Sequence, residues 1–290
     1  MALIPPFFMD CVVAIGIDNK DVNGHEIDNP KTWIATGFLY GYAIKKLDNE
    51  KNQYMISLVT NRHVFNNLSS IYLRFNPQAN ESAWDYKIDL LDDNGDAIWI
   101  THQDPEIDIA LIPINFNQLI EHKIQANVFQ NDNHIANIDK MNKVGITEGD
   151  FAYVLGFPMG LVGDHRNTVI VRGGSIARIR DALNRTNKEF LVDAFVFPGN
   201  SGGPVISKPE AMSISGTKSL KSANLIGIVK SYVPYQDIAV SVQTKRPRVI
   251  FEENSGLASV HPVDFIEEII SEYLKTFDPL KQYSVELEDD

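Results

Sequence analysis

Cysteine is almost missing from this sequence of 290 residues. Cys11 stands alone, so no intrachain disulfide can form. The fold must be held by apolar burial, and the pattern is that of a reducing compartment, which points to the cytoplasm. Cys11 itself opens the apolar run 11–17, where a thiol reads as a small buried side chain. Long apolar stretches are also missing, and none reaches the roughly 20 residues of a membrane-spanning helix. The opening stretch 1–16 has no basic residue ahead of its apolar part. Pro5-Pro6 interrupts it, so it reads as a first strand and not as a signal peptide. Positive charge is short as well: 26 Lys and Arg face 38 Asp and Glu, a net charge of −12. That balance argues against a nucleic-acid partner and against an anionic membrane. The acidic end 284–290 reads as a solvated tail.

What the sequence does have is many short apolar or alternating runs punctuated by turn residues. They fall at 11–17, 35–44, 54–60, 71–75, 97–101, 109–114, 151–157, 168–179, 190–197, 224–232 and 238–242. This spacing predicts an all-β sandwich or barrel architecture. Residues 115–148 are rich in Asn and read as a connector with one short helix. Residues 261–277 are the one long amphipathic helix: Val263, Ile266, Ile269, Ile270, Tyr273, Leu274 and Phe277 share a face that packs on a barrel.

The densest chemical signal is Phe-Pro-Gly-Asn-Ser-Gly-Gly-Pro at 197–204. A serine hydroxyl attacks a carbonyl only if a base takes its proton and donors hold the developing oxyanion. Backbone N–H groups can be those donors where the chain bends tightly, and glycine permits the bend. Gly199 and Ser201 are the expected N–H donors, with Asn200 between them in the same hole. The pattern needs a histidine and a shielded carboxylate elsewhere. Of seven histidines, His25, His102, His122, His134, His165 and His261 lie in polar or loop-like stretches and read as surface residues. His63, just past the strand 54–60, suits a base presented at a strand end. Asp108 opens the apolar run 109–114 and is the shielded acid; Asp104 and Glu106 are its rivals. The order His63, Asp108, Ser201 has gaps of 45 and 93 residues, the order and spacing of a known Ser-His-Asp triad.

These residues resemble the chymotrypsin-fold serine peptidases, in their disulfide-free, HtrA-like branch, over residues 8–276. The resemblance rests on Thr-Gly-Phe-Leu-Tyr (36–40), Thr-Asn-Arg-His-Val-Phe (60–65), Asp-Ile-Ala-Leu-Ile (108–112), residues 148–160, residues 193–206 and residues 255–270. Asn61 is larger than the residue usual at its place. The resemblance implies two six-stranded antiparallel β-barrels with the cleft between them and a C-terminal α-helix. The first barrel would span 1–125, a connector 126–149, the second barrel 150–261, and the helix with its tail 262–290. It implies a serine endopeptidase acting on a protein or peptide, with no metal and no organic cofactor. Phe195, six residues before the nucleophile, would lie near the base of the specificity pocket and favour a small or medium apolar side chain. Residues 228–232, including Val229, Lys230 and Ser231, would pair with the substrate backbone, with the Lys230 side chain solvated. Asn200 replaces the aspartate that digestive relatives use in activation by clipping, and no peptide-binding module is expected after the protease. A brake would then come from a regulatory protein partner or a signal, acting through loops at 115–148 and 207–223. The competing expectation is a catalytically silent scaffold on the same fold. Sequons at Asn67, Asn80 and Asn184 would matter only in a secreted chain.

Overall fold

The computed structural model describes residues 4–20, 26–47, 51–210, 218, 221–277 and 284–287. His25, most of the 207–223 segment and the last three residues of the acidic tail lie outside them.

A short helix α1 (Phe7–Asp10) leads into the first sheet: β1 (Val12–Lys20), β2 (Glu26–Lys46), β3 (Asn52–Thr60), β4 (Ser70–Pro77), β5 (Trp84–Asp89), β6 (Ile100–Thr101) and β7 (Ala110–Pro113). A one-turn helix α2 (Arg62–Phe65) lies between β3 and β4. The strand order is β5-β4-β1-β2-β3-β7-β6. This sheet departs in detail from a closed six-stranded cylinder. Among the described residues its two ends meet only through the turn after β5, by the Leu91–Ala97 bridge and the Ile98 N–H donating to Leu90 C=O at 3.0 Å.

The connector holds two helices instead of one, α3 (Phe116–Glu121) and α4 (Ile138–Val144), and two short strands, β8 (Ile124–Gln125) and β9 (Phe129–Gln130). Asn137 caps α4 through its side chain, which accepts the Lys140 N–H, and Gly145 closes it at φ +85°. Phe129, Ile138 and Met141 are buried in the cores. The segment is therefore packed structure with more regular elements than the single short helix its Asn-rich composition suggests.

The second barrel comprises β10 (Phe151–Gly156), β11 (Ile170–Arg178), β12 (Phe190–Asp193), β13 (Pro204–Ser207), β14 (Asn224–Val240) and β15 (Pro247–Pro262). It closes fully in the order β10-β11-β12-β15-β14-β13. A one-turn helix α5 (Arg180–Leu183) sits between β11 and β12. The runs 224–232 and 238–242 are not separate strands but parts of the single long β14. Helix α6 (Asp264–Tyr273) is shorter than the pattern 261–277 suggests, because His261 and Pro262 still belong to β15. A last strand, β16 (Ser284–Glu286), pairs with β3.

The central strands explain why the sequence shows continuous apolar runs and not clean alternation. On β2 and β3, Leu39, Ile56 and Leu58 point into the first barrel, while Phe38, Tyr40, Met55 and Val59 point out of it. The outward set joins Leu155, Ile206, Leu225 and Ile228 of the second barrel, together with Val263 just ahead of α6 and Ile266 and Ile270 of α6, in one seam core. Strands covered on both faces lose the polar alternate. Helix α6 thus closes the seam and touches both halves.

If the seam is a true core, Phe38→Ala should cost about 3–5 kcal/mol in urea unfolding. Phe151→Ala, on a side chain that is 50% exposed, should stay within about 0.5 kcal/mol of the parent.

Candidate active site

Asp108 is held on every side. Its N–H donates to His261 Nε2 at 3.2 Å. Its carbonyl accepts Asn61 Nδ2 at 2.8 Å. Its carboxylate receives the His63 backbone N–H at 3.0 Å and contacts His63 Nδ1 at 2.5 Å. Burial pushes this carboxyl up, but the His63 hydrogen bonds and charge outweigh it and leave it below the ordinary carboxylate value. The rivals are committed elsewhere: Lys188 Nζ lies 2.5 Å from Asp104 and 2.6 Å from Glu106. The oversized Asn61 earns its place, since a smaller residue there could not reach the Asp108 carbonyl.

Ser201 sits on the other side of the seam, and its loop is tied to the first barrel. The Thr36 N–H donates to Ser201 C=O at 3.0 Å, and Thr36 Oγ1 donates to Gly199 C=O at 2.6 Å while accepting the Phe157 N–H at 3.0 Å. Residues 197–200 form a tight turn in which the Asn200 N–H donates to Phe197 C=O at 2.9 Å, with Gly199 at φ +100°. Pro second and Gly third is the type II pattern. A Cβ on Gly199 would lie 2.3 Å from Phe157 O, and one on Gly202 would lie 2.2 Å from both Thr36 O and Thr60 Oγ1. Only glycine lets the Ser201 loop close on the strand that leads to His63.

The oxyanion expectation needs one correction. Asn200 N–H is consumed inside the turn, and its side-chain Oδ1 accepts the Phe197 N–H at 3.0 Å. Asn200 is therefore the brace of the turn and not a donor to substrate. Gly199 and Ser201 N–H groups donate to no acceptor among the described residues. Pro198 C=O accepts the Met159 N–H at 2.6 Å, and in a trans peptide the Gly199 N–H then points the opposite way. Met159, at φ 56° and without a glycine's freedom, was invisible in the sequence as part of this device.

The predicted substrate-binding residues fare unevenly. Phe195 is 55% exposed and packs over Gly256, so it does not floor a deep pocket. Val229 is buried, its N–H donating to Gly203 C=O at 2.9 Å and its C=O accepting the Gly202 N–H at 3.0 Å. It therefore cannot pair with a substrate. Lys230 is not simply solvated: its Nζ lies 2.5 Å from Glu189, which also accepts the Ser259 hydroxyl. Ser231 is exposed on β14 beyond it. Ser201 Oγ makes no hydrogen bond to His63 among the described residues, and the imidazole remains half exposed toward the cleft.

His261 reverses its surface reading. It is fully buried, with Nδ1 2.9 Å from Lys188 C=O and Nε2 accepting from Asp108. Those contacts fit a neutral ring protonated on Nδ1. Its only sequence signal is its place in an apolar strand end, between Val260 and Pro262.

The profile of the trypsin-like peptidase domain family matches residues 35–211. Among solved structures, the chain is similar to Rv3671c from M. tuberculosis H37Rv, an inactive serine-to-alanine mutant, at 13% identity and a TM-score of 0.42. That match covers 93% of this chain and 90% of the other. It is also similar to HBP at 10% identity and a TM-score of 0.47, covering 96% of this chain and 97% of the other. No curated protein matches it in sequence.

Two measurements check the site. Thr36→Val should strand a buried carbonyl and N–H and destabilise the chain by about 1–3 kcal/mol in urea unfolding. Burial pulls the His261 imidazole below its ordinary value. The unfolded chain then binds more protons than the folded one in the window below that value. The stability from this group is present above the ordinary value of 6.5 and is lost as pH falls through the folded one. Urea midpoints should therefore drop on acidification from about pH 7 to 5, and His261→Gln should flatten that drop. The match over 35–211, together with the two-barrel architecture, makes this chain a member of the trypsin-like peptidase domain family.

Proposed function

We propose that the chain is a serine endopeptidase that cleaves protein or peptide substrates through an acyl-enzyme. The observation that carries this reading is the contact of 2.5 Å between His63 Nδ1 and a shielded Asp108 carboxylate. Across the seam from that pair, Ser201 stands on a braced turn with two uncommitted N–H groups.

In this mechanism His63 Nε2 takes the Ser201 Oγ proton as Oγ forms a bond to the scissile carbonyl carbon. Asp108 holds the ring with Nδ1 as the donor and stabilises the imidazolium. The Gly199 and Ser201 N–H groups receive the developing oxyanion. Collapse breaks the C–N bond, and His63 returns the proton to the leaving amine. Water, deprotonated by His63, then hydrolyses the ester and frees Ser201. Apo geometry leaves the Ser201–His63 hydrogen bond to form when substrate enters.

The lone buried cysteine supports a reducing location such as the cytoplasm. No helix among the described residues is long and apolar enough to cross a membrane. A regulatory partner or signal remains part of this proposal, and comparing labelling of purified protein with labelling in lysate reads it directly.

A fluorophosphonate probe should label Ser201 in the parent protein, and peptide hydrolysis should vanish in Ser201→Ala. Asp108→Asn should keep the fold but lower kcat by about 10⁴, because the ring loses its tautomer. A parent protein that is never labelled, in either preparation, is instead a silent scaffold.

A further inference from the structure

The second barrel uses only the first part of β14 and the last part of β15. β13 pairs with β14 no further than Ile228, and β12 pairs with β15 only from Leu257 onward. Beyond those points, among the described residues, the two strands pair with each other alone, from Pro234↔Asn254 to Val240↔Pro247 with a register shift after Ala239, and Asn254 Nδ2 at the base donates to Val196 C=O at 2.6 Å. The result is a two-stranded ribbon standing off the barrel. Isolated ribbons of this kind are marginal in water, yet this one exposes large apolar side chains on both faces. Ile238 and Ile250 are a cross-strand pair, 48% and 58% exposed, and Tyr235 and Phe251 on the opposite face are 60% and 57% exposed. Such a surface calls for an occupant.

The position of the edge says which one. Gly202, Gly203 and Pro204, the residues just after the nucleophile, bond to β14 at Val229 and Ile228. From Lys230 onward that same edge has no strand beside it among the described residues. A chain whose reacting bond lies at Ser201 therefore meets a row of backbone groups leading outward. β14 runs from Ser201 to the ribbon tip, so an antiparallel partner begins at the tip and arrives N-terminus first along the ribbon. The tip bears Lys245, Arg246 and Arg248 in a chain of net charge −12, a local reversal of sign.

We infer that the β14–β15 ribbon is an extended docking edge for the substrate segment N-terminal to the cleaved bond. This rests on the endopeptidase reading. The occupant is an extended polypeptide with alternating apolar side chains facing the ribbon and acidic residues about eight to ten positions upstream, where it meets the basic tip. Pro234 withholds one donor, so pairing concentrates on Tyr235 to Val240.

The test uses full-length Ser201→Ala protein and a synthetic peptide of about twelve residues, glutamates first and alternating valine and threonine after. Hydrogen exchange should slow in residues 230–240 when the peptide is added. The double variant Arg246→Glu/Arg248→Glu, which alters exposed positions only, should weaken peptide binding by about tenfold. Ile238→Thr/Ile250→Thr should weaken it without changing its salt dependence. Moving the glutamates to the peptide's C-terminus should also weaken it. Unchanged exchange in 230–240 overturns the inference. So does ribbon protection that appears with protein concentration alone, which marks a second copy, or with phosphatidylserine vesicles alone, which marks a membrane. Fluorophosphonate labelling of the parent separates the two levels. A labelled Ser201 with an unprotected ribbon defeats the docking edge only, and an unlabelled Ser201 defeats the endopeptidase reading while the peptide arm still reports on the ribbon.

Discussion

The site depends on one side chain from the first barrel reaching into the second. Thr36 Oγ1 donates to Gly199 C=O and accepts the Phe157 N–H, and the Thr36 N–H holds Ser201 C=O. A turn before Ser201 sharp enough to leave two N–H groups uncommitted has carbonyls that must be satisfied some other way. Thr36 takes Gly199 and Ser201, and Met159 takes Pro198. The uncommitted donors are thus the by-product of committed acceptors, and the turn's carbonyls are already bonded within the chain. This is the form of preorganisation that stabilises developing charge without reorganisation.

The acid half follows the same logic. Asp108 lies two residues ahead of β7, where its carboxylate is partly withdrawn from water. Withdrawal raises a lone carboxyl, and the two His63 contacts more than offset that. Its backbone is then locked by Asn61 and by a buried neutral His261. The last links the His63–Asp108 pair to the end of β15 and, through Phe265, to α6, so the helix that seals the seam also stands behind the acid. Lys188 gathers Asp104 and Glu106, while Lys230 and Glu189 pair next to them. The cleft rim is therefore a set of matched charges within an acidic chain, and Asp108 alone is presented to His63.

The seam core and the ribbon show two outcomes for apolar strands. On β2, β3 and β7 both faces are covered, one by a barrel interior and one by the opposite barrel. On the far part of β14 and β15 neither face is covered. Both stretches carry large apolar side chains; what differs is whether the topology supplies a second layer, and the uncovered one also carries Asp237, Arg248, Glu252 and Glu253.

The architecture was legible because short apolar runs and turn residues carry a period that sequence alone displays. The residues His63, Asp108 and Ser201 were legible because strand ends and a glycine cluster leave strong local marks. The connector helices were partly hidden, as Asn-rich composition outweighed the apolar spacing of Ile138 and Met141. The long β14 was read as two strands because Pro234 and the polar residues around it look like a turn. Asn200, Val229, Phe195 and His261 could not be placed by their neighbours in sequence, since each role is set by a partner far along the chain. By itself the sequence determined which residues could do acyl chemistry and that they lie in turns and short segments next to strand ends. Only the tertiary structure decided which backbone groups remain unpaired near them, because hydrogen-bond saturation is a property of the whole fold and not of any one segment.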